Sequence, residues 1–290
     1  MGITGKYLLT LLVSILDKHF NYTEAANTMK YFFLVLPEKA LSQIFGLWAQ
    51  ITWPKPVQVF INETFSKMYK INEKEMVGDI SDYKSLSDFF IRHLKSTFRP
   101  VQNGIVHPCD ANLSVSSKIT SDTLIQNKKM DYFIDDFLRL SVEDEFFEGH
   151  QLTYYLSPKD YHRVHVPVDC KLVSVRHISG KLWPVNLWAV KNIKDLFCVN
   201  ERLVFKFKTK TYTYFLVMVG ALNVGSINIS VEGAQFFEKD EETMLDIKVS
   251  KAQELGYFNM GSSVVLVLPS KAGSFTSEAP KNVQYGQSIV

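Results

Sequence analysis

The sequence contains little cysteine, no excess of charge of one sign and no repeated or low-complexity tract. Its three cysteines, Cys109, Cys170 and Cys198, lie too far apart for a disulfide framework or a zinc site, which favours a reducing compartment. The 32 basic and 30 acidic residues leave a net charge of +2 at pH 7, which is too balanced to indicate nucleic-acid binding. With 46% hydrophobic and 21% charged residues, the composition is typical of a globular protein and excludes a disordered or fibrous chain.

The sequence also lacks a run of about 18 apolar residues, so it offers no candidate for a helix that crosses a bilayer. Its first 75 residues nevertheless place apolar side chains at helical spacing and carry eight lysines against six acidic residues. Two interpretations of this pattern stay open. The segment lies in a membrane interface, with Trp48 and Trp53 at headgroup depth, or it packs as amphipathic helices on the core or on a second subunit.

The pattern of the chain changes from helical to strand-like near residue 100. Ser85 is a helix cap ahead of an apolar run, Pro100 limits that helix, and residues 131–140 predict another short helix. The polar residues 116–129 predict a loop. Short runs rich in β-branched and aromatic residues predict strands at 152–156, 172–175, 203–207, 212–219, 227–231 and 264–268. We therefore expect an α+β fold, helical over residues 1–100 and mostly antiparallel β over residues 101–290.

Two histidines close to a predicted bend form the first segment with chemical potential. Ser157 and Pro158, followed by Asp160, are typical of a helix start, so a strand should feed one helical turn that presents His162. A straight strand would place His162 and His165 on opposite faces, whereas a bend can aim both into one pocket. Such a pair can bind metal, relay protons or only satisfy backbone groups.

The dipeptide Gly261-Ser262 and the isolated Asp110 are the other two candidates. A serine hydroxyl can attack the carbonyl of the preceding residue if a base and oxyanion donors are present, and glycine hinders that attack least. Without other context, Gly261-Ser262 is a common turn, and Asp110, two residues after Pro108, is a turn former. Packed against His165, Asp110 would fix the tautomer of that imidazole and raise its basicity.

These three segments, in this order, resemble the phosphatidylserine decarboxylase family of pyruvoyl-dependent membrane enzymes. The resemblance spans about residues 60–290 and includes Phe89-Phe90-Ile91-Arg92, Arg99-Pro100, Gly180-Lys181-Leu182, Asn200-Glu201-Arg202, residues 219–227 and Tyr285-Gly286-Gln287. The sequence departs from the usual family pattern at Ala111, His150, Met260 and Ser263. None of these departures removes a reactive group.

The resemblance implies that the chain cuts itself between Gly261 and Ser262, giving residues 1–261 and 262–290. His165, oriented by Asp110, would take the proton of the Ser262 hydroxyl, and the resulting ester would eliminate to leave a pyruvoyl group at position 262. This covalent cofactor, which needs no metal, would form a Schiff base with phosphatidylserine and release carbon dioxide, giving phosphatidylethanolamine. His162 would hold the substrate carboxylate or return the proton.

The resemblance also implies the partners and the location. The two cleavage chains would stay together as a heterodimer, with a dimer of heterodimers left open, and no nucleic acid would bind. Because a two-chain lipid leaves a bilayer only at ~0.8 kcal/mol per methylene, residues 1–100 are best interpreted as a segment that docks on an anionic membrane. Without a transit peptide, we expect the cytoplasmic face of a bacterial inner membrane.

Two other classes of function stay open at the level of sequence. The first is a serine hydrolase that uses Asp110, His165 and Ser262 as an intact triad, although no Gly-x-Ser-x-Gly elbow surrounds Ser262. The second is a non-catalytic lipid-binding protein whose self-cleavage has failed.

Overall fold

A computed structural model describes residues 46–142, 144–221, 227–234, 240–259, 262–275 and 278–289. Of the segment expected to dock on a membrane, residues 1–100, the first 45 residues lie outside the described residues. The described helices include α1 (Lys55–Tyr69), α2 (Leu86–Phe90), α3 (Ile134–Leu138), α4 (Leu187–Asn192) and α5 (Leu196–Val199). The described strands are β1 (Ala111–Lys118), β2 (Thr123–Asn127), β3 (Met130–Phe133), β4 (His150–Leu156), β5 (Arg163–His165), β6 (Cys170–Ile178), β7 (Arg202–Lys208), β8 (Thr213–Val219), β9 (Ile227–Ile229), β10 (Glu242–Val249), β11 (Glu254–Phe258), β12 (Ser262–Leu268) and β13 (Lys281–Val283).

An eight-stranded sheet dominates the described fold. Its strand order is β10-β6-β7-β8-β12-β4-β1-β13, and each neighbouring pair is antiparallel. Strands β5, β11 and β9 form a second antiparallel sheet, and β2 pairs with β3 as a hairpin. The expected mixed fold with mostly antiparallel strands is therefore confirmed for the described residues.

Strand β12 lies inside the large sheet, between β8 and β4. All seven of its residues are buried, which agrees with the continuous apolar run 264–268 in the sequence. The predicted strand is thus confirmed, and it extends back to Ser262. Its first residue is paired with Leu156 of β4.

The predictions for residues 116–140 are partly wrong. Instead of a loop over 116–129, β1 continues to Lys118 and β2 follows, because alternate residues Leu124 and Gln126 are buried as in a half-exposed strand. The amide of Gln126 donates to the carbonyl of Ile193 at 2.6 Å, so a polar sequence is buried without an unsatisfied group. The helix predicted over 131–140 is confined to α3, since residues 130–133 pair with β2 instead.

The helix predicted at Ser85 is confirmed at its start. The hydroxyl of Ser85 accepts a hydrogen bond from the backbone of Asp88 at 3.0 Å, and α2 ends at Phe90, far short of Pro100. The helix ends early because residues 93–95 pair with residues 75–77 in an extended conformation. One of these bonds joins the Lys95 amide to the Glu75 carbonyl at 2.8 Å.

Helix α1 buries three polar side chains and exposes three apolar ones. Gln58, Asn62 and Ser66 follow one another at four-residue spacing on the buried face, next to the packed side chains of Ile61, Phe65 and Tyr69. The Gln58 amide donates to Asn62 at 2.9 Å, and the Asn62 amide donates to the Tyr83 carbonyl at 3.2 Å. The exposed side includes Val57, Phe60 and Met68, which are 45%, 67% and 40% exposed, together with the ion pair of Lys67 and Glu63. None of the helices in the described ranges is long and apolar enough to span a membrane.

Candidate active site

The sheet register brings Ser262 and Asp110 to the same end of the large sheet. Ser262 begins β12 and pairs with Leu156 at the end of β4, whereas β1 pairs on the other side of β4 through Asn112 and Tyr155. Asp110 immediately precedes β1. Two strand spacings therefore separate the backbones of Asp110 and Ser262, about 10 Å across the sheet.

A β-turn over residues 157–160 precedes both histidines, so the helical turn predicted there is wrong. The amide of Asp160 donates to the carbonyl of Ser157 at 2.9 Å, while the Asp160 carboxylate accepts from the amide and hydroxyl of Ser157 at 2.8 and 2.6 Å. The Asp160 carboxylate therefore stabilises the turn by accepting hydrogen bonds from Ser157. Ser157 does not serve as the N-cap of a helix. The chain then extends into β5, which ends at His165.

His162 is completely buried and has one nitrogen without a partner. Its Nδ1 lies 2.8 Å from the Asp160 carbonyl, so Nδ1 carries the proton and Nε2 is the basic nitrogen. Burial lowers the pKa of His162 to about 3, against the opposing effect of the Asp160 and Leu156 backbones. Nε2 has no hydrogen-bond partner among the described residues. His162 is therefore a neutral imidazole at pH 7.

Ser262 is also completely buried, and its hydroxyl has no hydrogen-bond partner in the described part of the chain. Both Ser262 and His162 lie near the backbone of Leu156. Leu156 pairs with Ser262 in the sheet, and its backbone also raises the pKa of His162. Two buried polar atoms without partners thus lie near the same end of β4. Such atoms are rare in native proteins and often belong to reactive sites. Gly261, the other half of the predicted cleavage site, lies outside the described residues.

His165 is held in a different environment from His162. Its Nδ1 lies 2.8 Å from the Ala252 carbonyl, which places the proton there, and its Nε2 lies 3.3 Å from the Tyr161 hydroxyl. Burial lowers the pKa of His165, whereas the Ala252 carbonyl and the charges of Glu254 and Asp110 oppose that effect. His165 is therefore a neutral base whose acceptor nitrogen has one long hydrogen bond.

Asp110 acts on His165 through its charge and not through a hydrogen bond in this structure. Its carboxylate accepts from Arg99 Nε at 3.1 and 3.0 Å and from the Tyr285 amide at 2.9 Å. Arg99 also pairs with Glu75 at 2.8 Å. The predicted contact of Asp110 with His165 is thus replaced by a buried ion pair next to the imidazole.

Sequence reasoning named Arg99 and Tyr285 only as parts of similar runs and missed Tyr161 as a contact of His165. A cationic cleft beside Asp110 was missed altogether, because its residues come from distant parts of the sequence. Its charged lining consists of the cations Lys70, Arg92, Arg99 and Lys159 and the carboxylates Glu75, Asp110 and Asp160.

Arg92 is the buried cation of this cleft. It is 4% exposed, donates to the Lys159 carbonyl at 2.8 Å and has no carboxylate partner among the described residues. Lys70 and Lys159 are exposed and form no ion pair within the described ranges. Four cations against three carboxylates leave the cleft with one net positive charge close to the predicted site, because Arg99 is paired with Asp110 and Glu75. The described residues contain no group of three His, Cys, Asp or Glu side chains that could hold a metal ion.

Comparisons with known proteins identify the family to which the chain is similar. A sequence model of the family described as phosphatidylserine decarboxylase matches residues 86–290. A phosphatidylserine decarboxylase proenzyme of Legionella pneumophila strain Philadelphia 1 is 36% identical over 243 residues, covering 80% of this chain and 86% of the relative. Proenzymes of the same name from Coxiella burnetii strain RSA 331 and Brevibacillus brevis are each 36% identical over 270 residues, covering 88% of this chain and 94% of each relative.

Proposed function

The chain belongs to the phosphatidylserine decarboxylase family, and from that membership we propose that it converts phosphatidylserine to phosphatidylethanolamine and carbon dioxide after cutting itself between Gly261 and Ser262. One observation supports the self-cleavage: a completely buried serine hydroxyl without a partner among the described residues begins strand β12, opposite Leu156, whose backbone also acts on the neutral His162. An intramolecular attack needs no path for an outside substrate.

The cleavage balances with the groups of this chain and water. His165 Nε2 takes the proton of the Ser262 hydroxyl, whose oxygen attacks the Gly261 carbonyl carbon, and the C–N bond breaks to give an ester and an amine. Loss of the Cα proton of residue 262 then expels the Gly261 carboxylate and leaves dehydroalanine. Addition of water releases ammonia and leaves a pyruvoyl group at the start of residues 262–290. Asp110 favours the first step because its negative charge stabilises the imidazolium of His165.

The site fits the formation of a pyruvoyl group because Ser262 Oγ, the atom that must attack Gly261 and then leave with it, is not engaged in any hydrogen bond to the described residues. When present, that group supplies an electron-withdrawing carbonyl for the loss of carbon dioxide. The chain contributes a dry environment, in which a carboxylate loses its hydration and its charge is dispersed more easily. We assign His162 to the substrate carboxylate, whose charge would raise the low pKa of this imidazole and allow Nε2 to carry a proton.

We propose that the cationic cleft beside Asp110 receives the phosphate of the lipid headgroup. Phosphatidylserine carries a phosphate and a carboxylate, and the cleft contains the unpaired cations Lys70 and Lys159 together with the buried Arg92. A lysine ammonium binds phosphate as a point charge without bidentate geometry. The cleft and Ser262 lie at the same end of the sheet. The phosphate of one headgroup can therefore bind in the cleft while its serine group contacts residue 262.

We further propose that the outer face of α1 is a membrane-docking surface. Val57, Phe60 and Met68 face solvent there, and such exposed apolar side chains are expected of a helix whose outer face enters the headgroup layer. Lys55 at its start and Lys70 after its end add charge that attracts anionic lipid. Association of the two cleavage chains, and of two such pairs, also stays a proposal, as does the cytoplasmic side of the membrane.

Denaturing mass spectrometry of the purified protein tests the proposed function. We expect two chains, residues 1–261 and a fragment of residues 262–290 whose first residue reacts with carbonyl reagents. A single intact chain labelled by a fluorophosphonate would instead indicate the serine hydrolase. A single unlabelled chain without decarboxylase activity would indicate the lipid-binding protein.

A further inference from the structure

Tyr285 lies in a turn near the carboxyl end that is fixed to the body of the protein on both sides. The Gly286 amide donates to the His107 carbonyl at 3.1 Å, and the Gly286 carbonyl accepts from the Gln102 amide at 2.8 Å. Gly286 has a φ of +85°, where a side chain is strained, and a Cβ there would lie 3.3 Å from the Pro100 carbonyl. The turn is therefore a rigid support for the residue in front of it.

The side chain and the backbone of Tyr285 contact two different members of the site. Its ring lies flat on the His165 imidazole, with centroids 4.0 Å apart and planes 6° apart. Its amide donates to Asp110 Oδ1 at 2.9 Å. Asp110 and His165, which share no hydrogen bond, are thus connected through Tyr285.

The third ring of the cluster is Tyr161, whose centroid lies 5.6 Å from Tyr285 and 5.7 Å from His165. The Tyr161 hydroxyl contacts Nε2 of His165, and the Ala252 carbonyl contacts Nδ1, so both ring nitrogens are fixed within the plane. Tyr285 covers one face of the same ring and keeps water from it. A flat aromatic contact of this kind restricts the tilt of the imidazole without using either nitrogen.

We infer that Tyr285 is a positioning residue for self-cleavage: its ring fixes the tilt of the His165 imidazole, the base proposed for the Ser262 proton, and its amide holds Asp110 in place. This role rests on the proposed function of His165. Tyr285 belongs to the fragment that begins at residue 262, so that fragment contributes its tail as well as its first residue to the site.

The test compares Tyr285→Ala with Tyr285→Phe, both of which retain the backbone amide that binds Asp110. We expect Tyr285→Phe to cut itself at close to the normal rate, because the flat contact stays. Tyr285→Ala should cut itself about tenfold more slowly or worse, since loss of the stacking ring frees the imidazole. The rate is followed by denaturing electrophoresis of freshly refolded or newly synthesised chains, and folding is checked by circular dichroism in each variant.

The pH profile of cleavage gives a second measurement that a general loss of stability would not shift. The charged groups acting on His165 are Asp110, Glu254 and Arg163, which both variants retain. Removal of the Tyr285 ring exposes the imidazole and relieves the burial that lowers its pKa, so His165 stays protonated to a higher pH. We expect the midpoint of the cleavage profile to move to higher pH in Tyr285→Ala and to stay in place in Tyr285→Phe.

A His165→Gln variant separates the two ways in which this inference can fail. Slow cleavage by His165→Gln together with normal cleavage and an unshifted profile in Tyr285→Ala would overturn the role of Tyr285 and leave the proposed base intact. Normal cleavage by His165→Gln would overturn the assignment of the base and the role of Tyr285 together.

Discussion

At the scale of single residues, the structure gives His162 and His165 different tasks although only two residues separate them. His165 Nε2 has a long contact with the Tyr161 hydroxyl, which a serine hydroxyl can replace, and the charge of Asp110 raises its basicity. His162 Nε2 has no partner among the described residues and a pKa lowered to about 3 by burial. The former suits an early proton transfer, and the latter suits a group that changes protonation when a carboxylate arrives.

Single substitutions at these positions should therefore separate cleavage from decarboxylation. We expect Ser262→Ala and His165→Ala to remain uncut, and His162→Ala to be cut but to lose decarboxylation about 100-fold, the effect of removing a general acid or base. Denaturing mass spectrometry measures the first property, and carbon dioxide release measures the second. If His162→Ala blocks cutting as completely as His165→Ala does, the division of tasks is wrong.

The lysines of the cationic cleft should affect substrate binding and not the chemical step. For a short-chain phosphatidylserine below its micelle concentration, Lys70→Ala and Lys159→Ala should each raise KM about tenfold and leave kcat nearly unchanged, as expected for a uniform binding interaction. Lys67→Ala is the matched control, because Lys67 lies in the last turn of α1, three residues before Lys70, but pairs with Glu63 at 2.9 Å and does not line the cleft. A fall in kcat at constant KM would contradict the assignment of the cleft to the headgroup.

At the scale of elements, the sequence predicts strands better than turns. The runs at 152–156 and 264–268 are confirmed because β-branched and aromatic residues specify buried strands locally. The turn at 157–160 was mistaken for a helix start, since serine, proline and an acid are common to both structures.

The contacts of the site residues could not be predicted in the same way. The resemblance identified Asp110, His165 and Ser262, but the partners of Asp110 come from positions 99 and 285. Only the folding of distant segments brings those partners together. The same holds for the cationic cleft, whose lining extends from residue 70 to residue 284.

The exposed apolar side chains on the outer face of α1 should contribute to membrane binding. We expect Phe60→Asp to reduce binding to vesicles that contain phosphatidylserine about tenfold, because an apolar ring that enters the headgroup layer is replaced by a charge. Cosedimentation of the full chain with vesicles measures the effect. Met244→Asp on β10 is the control, since Met244 is 68% exposed against 67% for Phe60 but lies on the edge strand of the large sheet. Equal losses in both variants would contradict docking through α1.

At the scale of the whole molecule, buried histidines should make the fold sensitive to acid. Burial lowers the pKa of His162 to about 3 and of His107 to about 4, whereas the unfolded chain takes up protons on histidine near pH 6.5. The unfolded state thus binds more protons between pH 6.5 and about 4, so stability falls as the pH is lowered through this range.

The acid sensitivity is best measured in the uncut Ser262→Ala chain, which unfolds as one polypeptide. Well below pH 6.5, each buried neutral histidine should add about 1.4 kcal/mol per pH unit to the slope of the unfolding free energy against pH. In urea titrations between pH 6 and 5, addition of His162→Gln should reduce this slope by about the amount that one buried neutral histidine adds. An unchanged slope would show that His162 is not held neutral by the fold.

The position of β12 between β8 and β4 has a consequence for the lifetime of the enzyme. A cofactor that diffuses in can be exchanged when it is damaged, but a strand hydrogen-bonded on both edges cannot be withdrawn without separating the sheet around it. If the proposed function holds, each molecule forms its pyruvoyl group once and retains it until the molecule is degraded. An inactivated molecule then cannot be reactivated by adding a cofactor from solution. The cell restores activity only by translating a new copy.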